Sequence, residues 1–230
     1  MTSPEAETLP DANTPPDEPA LAGTPAPGTD PSQASPAEAR SRSVQPVLAK
    51  LFELYPQLFG ADFRPLKLGI FQELLTAHPE HFQRESLKAA LGFHTRSTRY
   101  LQCVAAGYKR HDLQGNPVED VAPEHVYLTL LELFRRRQVR AREDLRPKFR
   151  AQLMAAYEAS GLSRQDYQAK VQTGDVAATA LLEEAFAERE QQLAKREALR
   201  RTFESSGKSA DEFVDMYGID RRELAAAIKA

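Results

Sequence analysis

Basic residues stand beside two predicted helix starts in the middle of this chain, and their chemistry suits phosphate. Arg64 and Lys67 flank Pro65, and apolar residues then recur at helical spacing. Because proline favours the first helical position, this pattern predicts a helix from Pro65 to Ala77. Helix N-termini carry a partial positive charge and normally attract acidic residues. Cations at this position instead predict a site for an outside anion, such as a phosphate group.

The same arrangement recurs at the next predicted helix. Thr95 is predicted to be its N-cap, with Arg96 and Arg99 in the first turn. The alternative for any single arginine is a solvated side chain, which is the more common situation. Two such starts within 40 residues, followed by Lys109 and Arg110, favour a nucleic-acid-binding surface.

The charge of the chain is unevenly distributed. The formal net charge of the 230 residues is −3, but residues 41–150 hold 18 Lys/Arg and 12 Asp/Glu, a net of +6. Residues 1–40 have a net charge of −6, and residues 151–230 have a net charge of −3. A basic middle segment between acidic flanks indicates an anionic partner for that segment.

Composition argues against several classes of protein. Cys103 is the only cysteine, so no intrachain disulfide can form and a reducing compartment is indicated. No apolar run approaches the roughly 18 residues of a membrane span, and the N-terminus lacks the apolar segment of a signal peptide. We therefore expect a cytoplasmic protein that does not interact with membranes.

Three regions follow from the pattern along the chain. Residues 1–42 are acidic and rich in Pro and Ala, which predicts a disordered leader. Residues 43–145 are predicted to form a mostly helical domain, with a β-hairpin at 107–118 marked by turn residues. Within it, a helix from Gln83 is expected to end at Gly92, and Pro123 is expected to open a long helix.

Residues 146–230 contain an internal repeat with an offset of 46 residues. The segment 157–167 matches 203–213. Each copy is predicted to contain the end of one helix, a glycine that terminates it and the start of the next helix. Ser163 and Ser209 are predicted N-caps, and a helix from about 175 to 201 joins the copies. Two helix-turn-helix-like units raise DNA binding as an option. The acidic second copy favours a helical accessory region or a protein-contact module instead.

No catalytic set stands out. His78 and His81 are close together, but Pro79 breaks the helical face that a metal pair would use. The chain has no glycine-rich phosphate loop and no motif for paired acid–base carboxylates. We expect no enzymatic activity, no cofactor and no bound metal.

A basic constellation remains, and it includes one aromatic residue. The cations are Arg64, Lys67, Arg84, Lys88, Arg96, Arg99, Lys109 and Arg110. Tyr100 could offer a stacking face and a hydroxyl to an exposed nucleotide. The alternative for Tyr100 is core packing with Leu101 and Val104.

Five motifs in order resemble the ProQ/FinO family of bacterial RNA chaperones, over about residues 44–140. They are Arg64-Pro65-Leu66-Lys67-Leu68-Gly69-Ile70-Phe71-Gln72, Leu87-Lys88-Ala89-Ala90-Leu91, Thr95-Arg96-Ser97-Thr98-Arg99-Tyr100-Leu101, Gly107 to Arg110, and Asp112-Leu113-Gln114-Gly115-Asn116-Pro117. The resemblance implies a mainly α fold: a compact helical ProQ/FinO-like domain with a small β-hairpin, here with a disordered N-terminus and a helical C-terminal extension.

The resemblance also implies a function and a set of binding residues. The expected partner is structured RNA, especially stem-loops with single-stranded 3′ tails such as intrinsic terminators, in small RNAs and mRNA 3′ ends. By resemblance the binding face includes Arg64, Lys67, Arg84, Lys88, Arg99, Tyr100 and Arg110, with Thr95 and Ser97 near the 3′-end pocket. Arg96 and Lys109 join this set by position. Gly92, His94 and Thr98 depart from the residues that are common in the family.

The sequence therefore favours a non-enzymatic RNA chaperone that acts in post-transcriptional regulation by small RNAs. The alternative is a helical adaptor whose acidic region 146–230 recruits a protein partner, with RNA contact secondary.

Overall fold

The computed structural model describes residues 36–229, with side chains from residue 43 onward. The predicted disordered leader falls mostly on residues 1–35, which lie outside the described residues. The first helix begins at Pro36, earlier than the apolar stripe from Val44 indicated.

The described residues form eleven helices and two short strands. In chain order these are α1 (Pro36–Leu54), α2 (Pro56–Phe59), α3 (Ile70–Ala77), α4 (Arg84–Thr95), α5 (Thr98–Ala105), β1 (Arg110–His111), β2 (Pro117–Glu119), α6 (Pro123–Gln138), α7 (Arg146–Ser160), α8 (Arg164–Lys170), α9 (Val176–Ser206), α10 (Ala210–Tyr217) and α11 (Arg221–Ile228). The predicted fold class, mainly helical with one small hairpin and a helical C-terminal extension, is confirmed. None of the described helices is both long and apolar enough to cross a membrane.

The hairpin pairs β1 with β2 in the antiparallel direction, with Arg110 opposite Glu119. Its turn forms because the Asp112 carboxylate accepts the Asn116 N–H at 2.9 Å and Gly115 adopts a φ of 81°. Glycine tolerates that left-handed conformation, whereas other residues would be strained there. The turn chemistry in the sequence therefore predicted this element correctly.

The segment before α3 is extended, contrary to the predicted helix start at Pro65. The His111 N–H donates to the Pro65 carbonyl at 2.8 Å, and the Lys67 N–H donates to the His111 carbonyl at 2.9 Å. Leu66 thus adds a parallel bridge to the hairpin. The helix begins only at Ile70, after Gly69 with a φ of 83°. Pairing with a strand more than 40 residues away, which local periodicity does not reveal, determines this segment.

The second helix start also differs from its prediction. Helix α4 continues through Gly92 to Thr95, because its buried face extends through Leu91 to His94. The Thr95 hydroxyl donates to the Leu91 carbonyl at 2.9 Å, so Thr95 ends one helix rather than capping the next. The N-cap of α5 is Ser97, whose Oγ accepts the Tyr100 N–H at 3.2 Å.

Two hydrophobic cores lie on either side of α6. The first is formed by α1–α5 and the hairpin and includes Leu51, Leu58, Leu74, Leu87 and Val104. The second joins α6 to α7–α9 and includes Tyr127, Leu130, Leu131, Phe149, Leu153, Tyr167, Leu182 and Phe186. Val126 packs against both. Helices α7–α9 are therefore attached to α6 by a shared core.

The two copies of the internal repeat have the same kind of helix end. Helices α7 and α9 both stop at a left-handed glycine, Gly161 and Gly207. Ser163 caps α8 through the Asp166 N–H, and Ser209 forms a complete capping box with Glu212. The repeat thus encodes the same turn between helices twice, by the same local hydrogen bonds.

Candidate nucleic-acid interface

The predicted cations are spread over α4, the start of α5, the extended segment before α3, and the hairpin. Arg84, Lys88, Arg96, Arg99 and Lys109 are exposed, whereas Arg64, Lys67 and Arg110 are half-buried. Neither hydroxyl-bearing residue is free of a role in the fold, because Thr95 bonds within α4 and Ser97 caps α5. The cations therefore differ in how available their charges are.

A cavity of about 710 Å³ brings three of these cations together. It opens between residues 61–64, α5 and the hairpin, and Arg64, Arg99 and Lys109 line it. The Arg99 guanidinium lies 5.4 Å from the centre of the Phe63 ring, which is a cation–π geometry. Arg64 donates to the Gly115 carbonyl at 3.3 Å. The cavity thus has a basic wall held in place by an aromatic ring and by the hairpin turn.

Helix α4 carries a second group of cations outside that cavity. The Arg84 guanidinium lies 5.6 Å from the centre of the Phe71 ring, and Lys88 follows one turn later on the same helix. Among the described side chains, five of the predicted cations take part in no ion pair: Arg64, Arg84, Lys88, Arg96 and Arg99. Charges without a carboxylate partner are the ones available to neutralise phosphates.

The other three cations already have acidic partners. Lys67 Nζ lies 2.6 Å from Glu73 Oε1, and this hydrogen bond, with the Glu73 charge, raises the pKa of Lys67. Lys109 lies 3.4 Å from Asp120, and Arg110 lies 3.8 Å from Glu119. An anion that binds at these positions must compete with a carboxylate, so their contribution to binding is reduced.

Arg110 has a structural role that the sequence did not indicate. Its side chain is only 11% exposed, and it donates to the Leu66 carbonyl at 2.9 Å. It also lies 3.2 Å from Nδ1 of His125 on α6. Arg110 therefore joins the extended segment, the hairpin and α6, and its replacement would disturb the fold as well as remove a charge.

The stacking face predicted for Tyr100 is covered. The residue is 7% exposed and belongs to the first core, which was the alternative considered from the sequence. Its hydroxyl accepts the Leu66 N–H at 3.0 Å, its ring lies edge-on to His94, and burial raises its pKa. The side chain packs inward on α5 with Val104. Tyr100 is thus a positioning residue for the segment that carries Arg64 and Lys67.

Removing the Tyr100 hydroxyl should therefore affect both stability and the segment it holds. We expect Tyr100→Phe to lower the free energy of unfolding by about 1–3 kcal/mol, because the Leu66 N–H loses its buried acceptor. Urea unfolding measures this loss. Tyr127→Phe is a matched control, because the Tyr127 hydroxyl donates to the Ala178 carbonyl at 3.2 Å in the second core. Only Tyr100→Phe should also weaken nucleic-acid binding; equal affinities for the two variants would contradict the positioning role.

Two aromatic residues at the cavity were missed by the sequence reasoning. Tyr108 is 56% exposed and lines the cavity, and Phe63 also lines it, with its ring in contact with Arg99. Tyr108 directly precedes the basic residues Lys109 and Arg110 at the start of the hairpin, and this pattern in the sequence could have identified it. The exposed stacking surface of this region is therefore on Tyr108.

Comparison with known proteins agrees with these observations. Residues 41–146 match the ProQ/FINO family. The chain is 40% identical over 84 residues to the RNA chaperone ProQ of Shewanella amazonensis, which is 35% of this chain and 38% of that protein. It is 36% identical over 126 residues to the RNA chaperone ProQ of Shewanella frigidimarina, or 52% of this chain and 62% of that protein. The matches thus span about two to three fifths of these relatives.

Two solved structures are also similar. A FinO-like RNA chaperone from Neisseria meningitidis matches 39% of this chain and 92% of its own, with 29% identity and a TM-score of 0.35. A ProQ homolog from Legionella pneumophila matches 51% of this chain and 99% of its own, with 25% identity and a TM-score of 0.35. The match over 41–146 contains the basic residues, the cavity and the hairpin described above. Over this segment, the chain is similar to the ProQ/FINO family.

Proposed function

We propose that this protein is a non-enzymatic RNA-binding protein that acts as an RNA chaperone in the cytoplasm. The observation that carries the proposal is that five of the predicted cations have no carboxylate partner among the described side chains: Arg64, Arg84, Lys88, Arg96 and Arg99. By contrast, several arginines of the C-terminal helices are paired with glutamates, as in Arg150–Glu188 and Arg189–Glu158. The names of the ProQ relatives support RNA as the polyanion.

A phosphate group would bind at the start of α5. The first turn of this helix contains no acidic residue and does contain Arg99. Backbone N–H groups at a helix N-terminus and a nearby guanidinium attract the same anion. We therefore place the anion site that the sequence predicts at the start of α5, with Ser97 rather than Thr95 as the N-cap.

Single-stranded nucleotides would enter the cavity lined by Arg64, Arg99 and Lys109. Tyr108 offers an exposed ring on which a base can stack, and the cations can contact the adjoining phosphates. A duplex stem would lie along α4, where Arg84 and Lys88 are exposed. We propose stem-loops with single-stranded 3′ tails as targets, in small RNAs and mRNA 3′ ends.

A test of the cavity compares two variants on two RNAs. Tyr108→Ala is expected to weaken binding of a tailed stem-loop about 10-fold, because one base–aromatic stack contributes about 1–3 kcal/mol. Tyr108→Phe keeps the ring and should bind like the parent protein. Fluorescence anisotropy measures both, with a blunt stem-loop as the control RNA. Equal losses on tailed and blunt RNA would contradict a role for the cavity in holding the tail.

The domain division at 145 remains a proposal, and it bears on how function is tested. Removing α7–α9 would uncover Tyr127, Leu130 and Leu131 of α6, which are buried in the second core. Binding experiments are therefore better performed on full-length variants than on a fragment that ends at 145. Many carboxylates of the C-terminal helices are already in ion pairs, which does not favour the adaptor alternative; a protein partner for residues 146–230 stays a separate proposal.

A further inference from the structure

The turn between α3 and α4 brings two histidines and a glutamate together. Glu80 Oε1 lies 3.6 Å from His78 Nδ1 and 3.4 Å from His81 Nε2. One ligand atom from each of the three residues lies within 4.8 Å of the others. His78 is half-buried, whereas Glu80 and His81 are exposed. The three ligand atoms therefore converge at a solvent-accessible turn.

These distances match the spacing of ligands around a tetrahedral metal ion. Zinc binds imidazole nitrogen and carboxylate oxygen at about 2.0–2.2 Å, which places neighbouring ligand atoms about 3.3–3.6 Å apart. Both nitrogen–oxygen distances at Glu80 are close to that spacing. Two imidazoles and one carboxylate are also a donor set that zinc uses when a fourth position is left to water.

His78 is held in the orientation that such a site requires. The Tyr55 hydroxyl lies 2.8 Å from Nε2 of His78, which leaves Nδ1 directed towards Glu80. A hydrogen bond to the other ring nitrogen is the usual outer contact of a metal-binding histidine.

The backbone of the turn explains why Pro79 does not separate the ligands. The expectation of no metal site assumed that the two histidines needed one helical face. Helix α3 instead ends at Ala77, and the carbonyl of His78 accepts the N–H groups of His81 and Phe82, each at 3.1 Å. Phe82 is 3% exposed and anchors the turn in the first core. A tight turn thus achieves the convergence that a helix would not.

We propose that His78, Glu80 and His81 form a binding site for a divalent transition-metal ion, with Zn²⁺ as the physiological candidate. The fourth coordination position is open to solvent, and the Glu80 carboxylate offsets half of the charge of the ion. The site links the end of α3 to the start of α4, the helix that carries Arg84 and Lys88. It is independent of RNA binding, so either proposal can fail without the other.

The test is a titration of the untagged full-length chain with Co²⁺, followed by displacement with Zn²⁺. We expect one equivalent of Co²⁺ per chain, with the intense visible absorption of four-coordinate cobalt, and loss of that absorption when Zn²⁺ is added. His81→Ala and Glu80→Gln should each weaken binding at least about 10-fold, because each removes one of three protein ligands. His125→Ala is the matched control, since His125 is an exposed histidine outside the turn, and it should bind like the parent.

Two further measurements distinguish a preorganised metal site from nonspecific metal binding. Tyr55→Phe keeps the ring but removes the hydrogen bond to His78, and it should weaken Co²⁺ binding about 10-fold or more. Zn²⁺ should raise the melting temperature of the parent chain but not that of His81→Ala, because a ligand bound to the folded state stabilises it. Circular dichroism confirms that each variant is folded. The proposal is overturned if the parent shows no four-coordinate cobalt spectrum, or if His81→Ala binds as tightly as His125→Ala.

Discussion

Replacing Arg84, Lys88 and Arg99 together by alanine is expected to weaken binding of a tailed RNA stem-loop about 100-fold, since solvent-exposed contacts between opposite charges contribute up to about 1 kcal/mol each. The physical reason is that all three side chains are exposed and have no carboxylate partner among the described residues. The slope of log affinity against log salt should also fall by about 2 to 3, because each lost phosphate contact removes about 0.7–0.9. Fluorescence anisotropy at several KCl concentrations measures both quantities.

A charge-matched variant provides the control. Lys170, Arg196 and Lys208 are exposed, lie in the C-terminal region 146–230 and have no ion pair among the described side chains. Their triple alanine variant changes the net charge by the same amount and should keep affinity and salt slope close to those of the parent. If both triple variants lose the same affinity, binding follows net charge alone and the assigned face is wrong.

Acidification is expected to destabilise the protein by up to about 3 kcal/mol through His94 alone, since each pKa unit corresponds to about 1.36 kcal/mol. His94 is buried between the rings of Phe59 and Phe63, with centroid distances of 4.9 and 4.6 Å. Burial lowers its pKa from the ordinary 6.5 to about 4. Its Nε2 has no hydrogen-bond partner among the described atoms, so nothing there compensates a positive charge.

The sign follows from proton binding in the two states. Between pH 6.5 and 4 the unfolded chain carries a protonated His94 and the folded chain does not, so acid favours the unfolded state. The stability associated with a neutral His94 is complete above pH 6.5 and falls progressively as the pH drops towards 4. Below pH 4 the residue is protonated in both states and contributes no further slope.

Urea unfolding at several pH values between 7 and 4 measures this effect. His94→Phe keeps an aromatic ring in the pocket and removes the titrating group, so its free energy of unfolding should fall less over this range than that of the parent. Carboxylates also titrate near the acid end, and comparing variants cancels their common contribution. Parallel curves for His94→Phe and the parent would contradict the assignment.

The tests at Tyr108 and at the His78 turn depend on side chains that the sequence alone does not identify as binding residues. Both tyrosines lie in motifs of the sequence, and the position of Tyr100 directly after Arg99 favours Tyr100 as the stacking residue. Tyr100 is covered because α5 presents it to the first core. Both tyrosines lie close in sequence to basic residues, but only the packing of the fold determines which ring is exposed to solvent.

Local chemistry in the sequence determined much of the architecture. The hairpin follows from Asp112, Gly115 and Asn116; the repeated helix ends follow from Gly161 and Gly207, each with a serine cap two residues later. These features depend on hydrogen bonds between residues within a few positions of each other, so the nearby residues are sufficient to specify them. The charge pattern likewise located the basic region, because charge is a property of composition.

The tertiary structure decided what local patterns leave open. The Arg64–Lys67 segment is extended because its backbone pairs with His111, and Arg110 is half-buried because it supports that pairing. His78, Glu80 and His81 converge because a turn anchored by Phe82 brings them together. Helix α6 joins two cores because apolar residues from α7–α9 cover its other side. Each of these outcomes depends on contacts between distant parts of the chain. The energies of such contacts cannot be predicted from a short stretch of neighbouring residues.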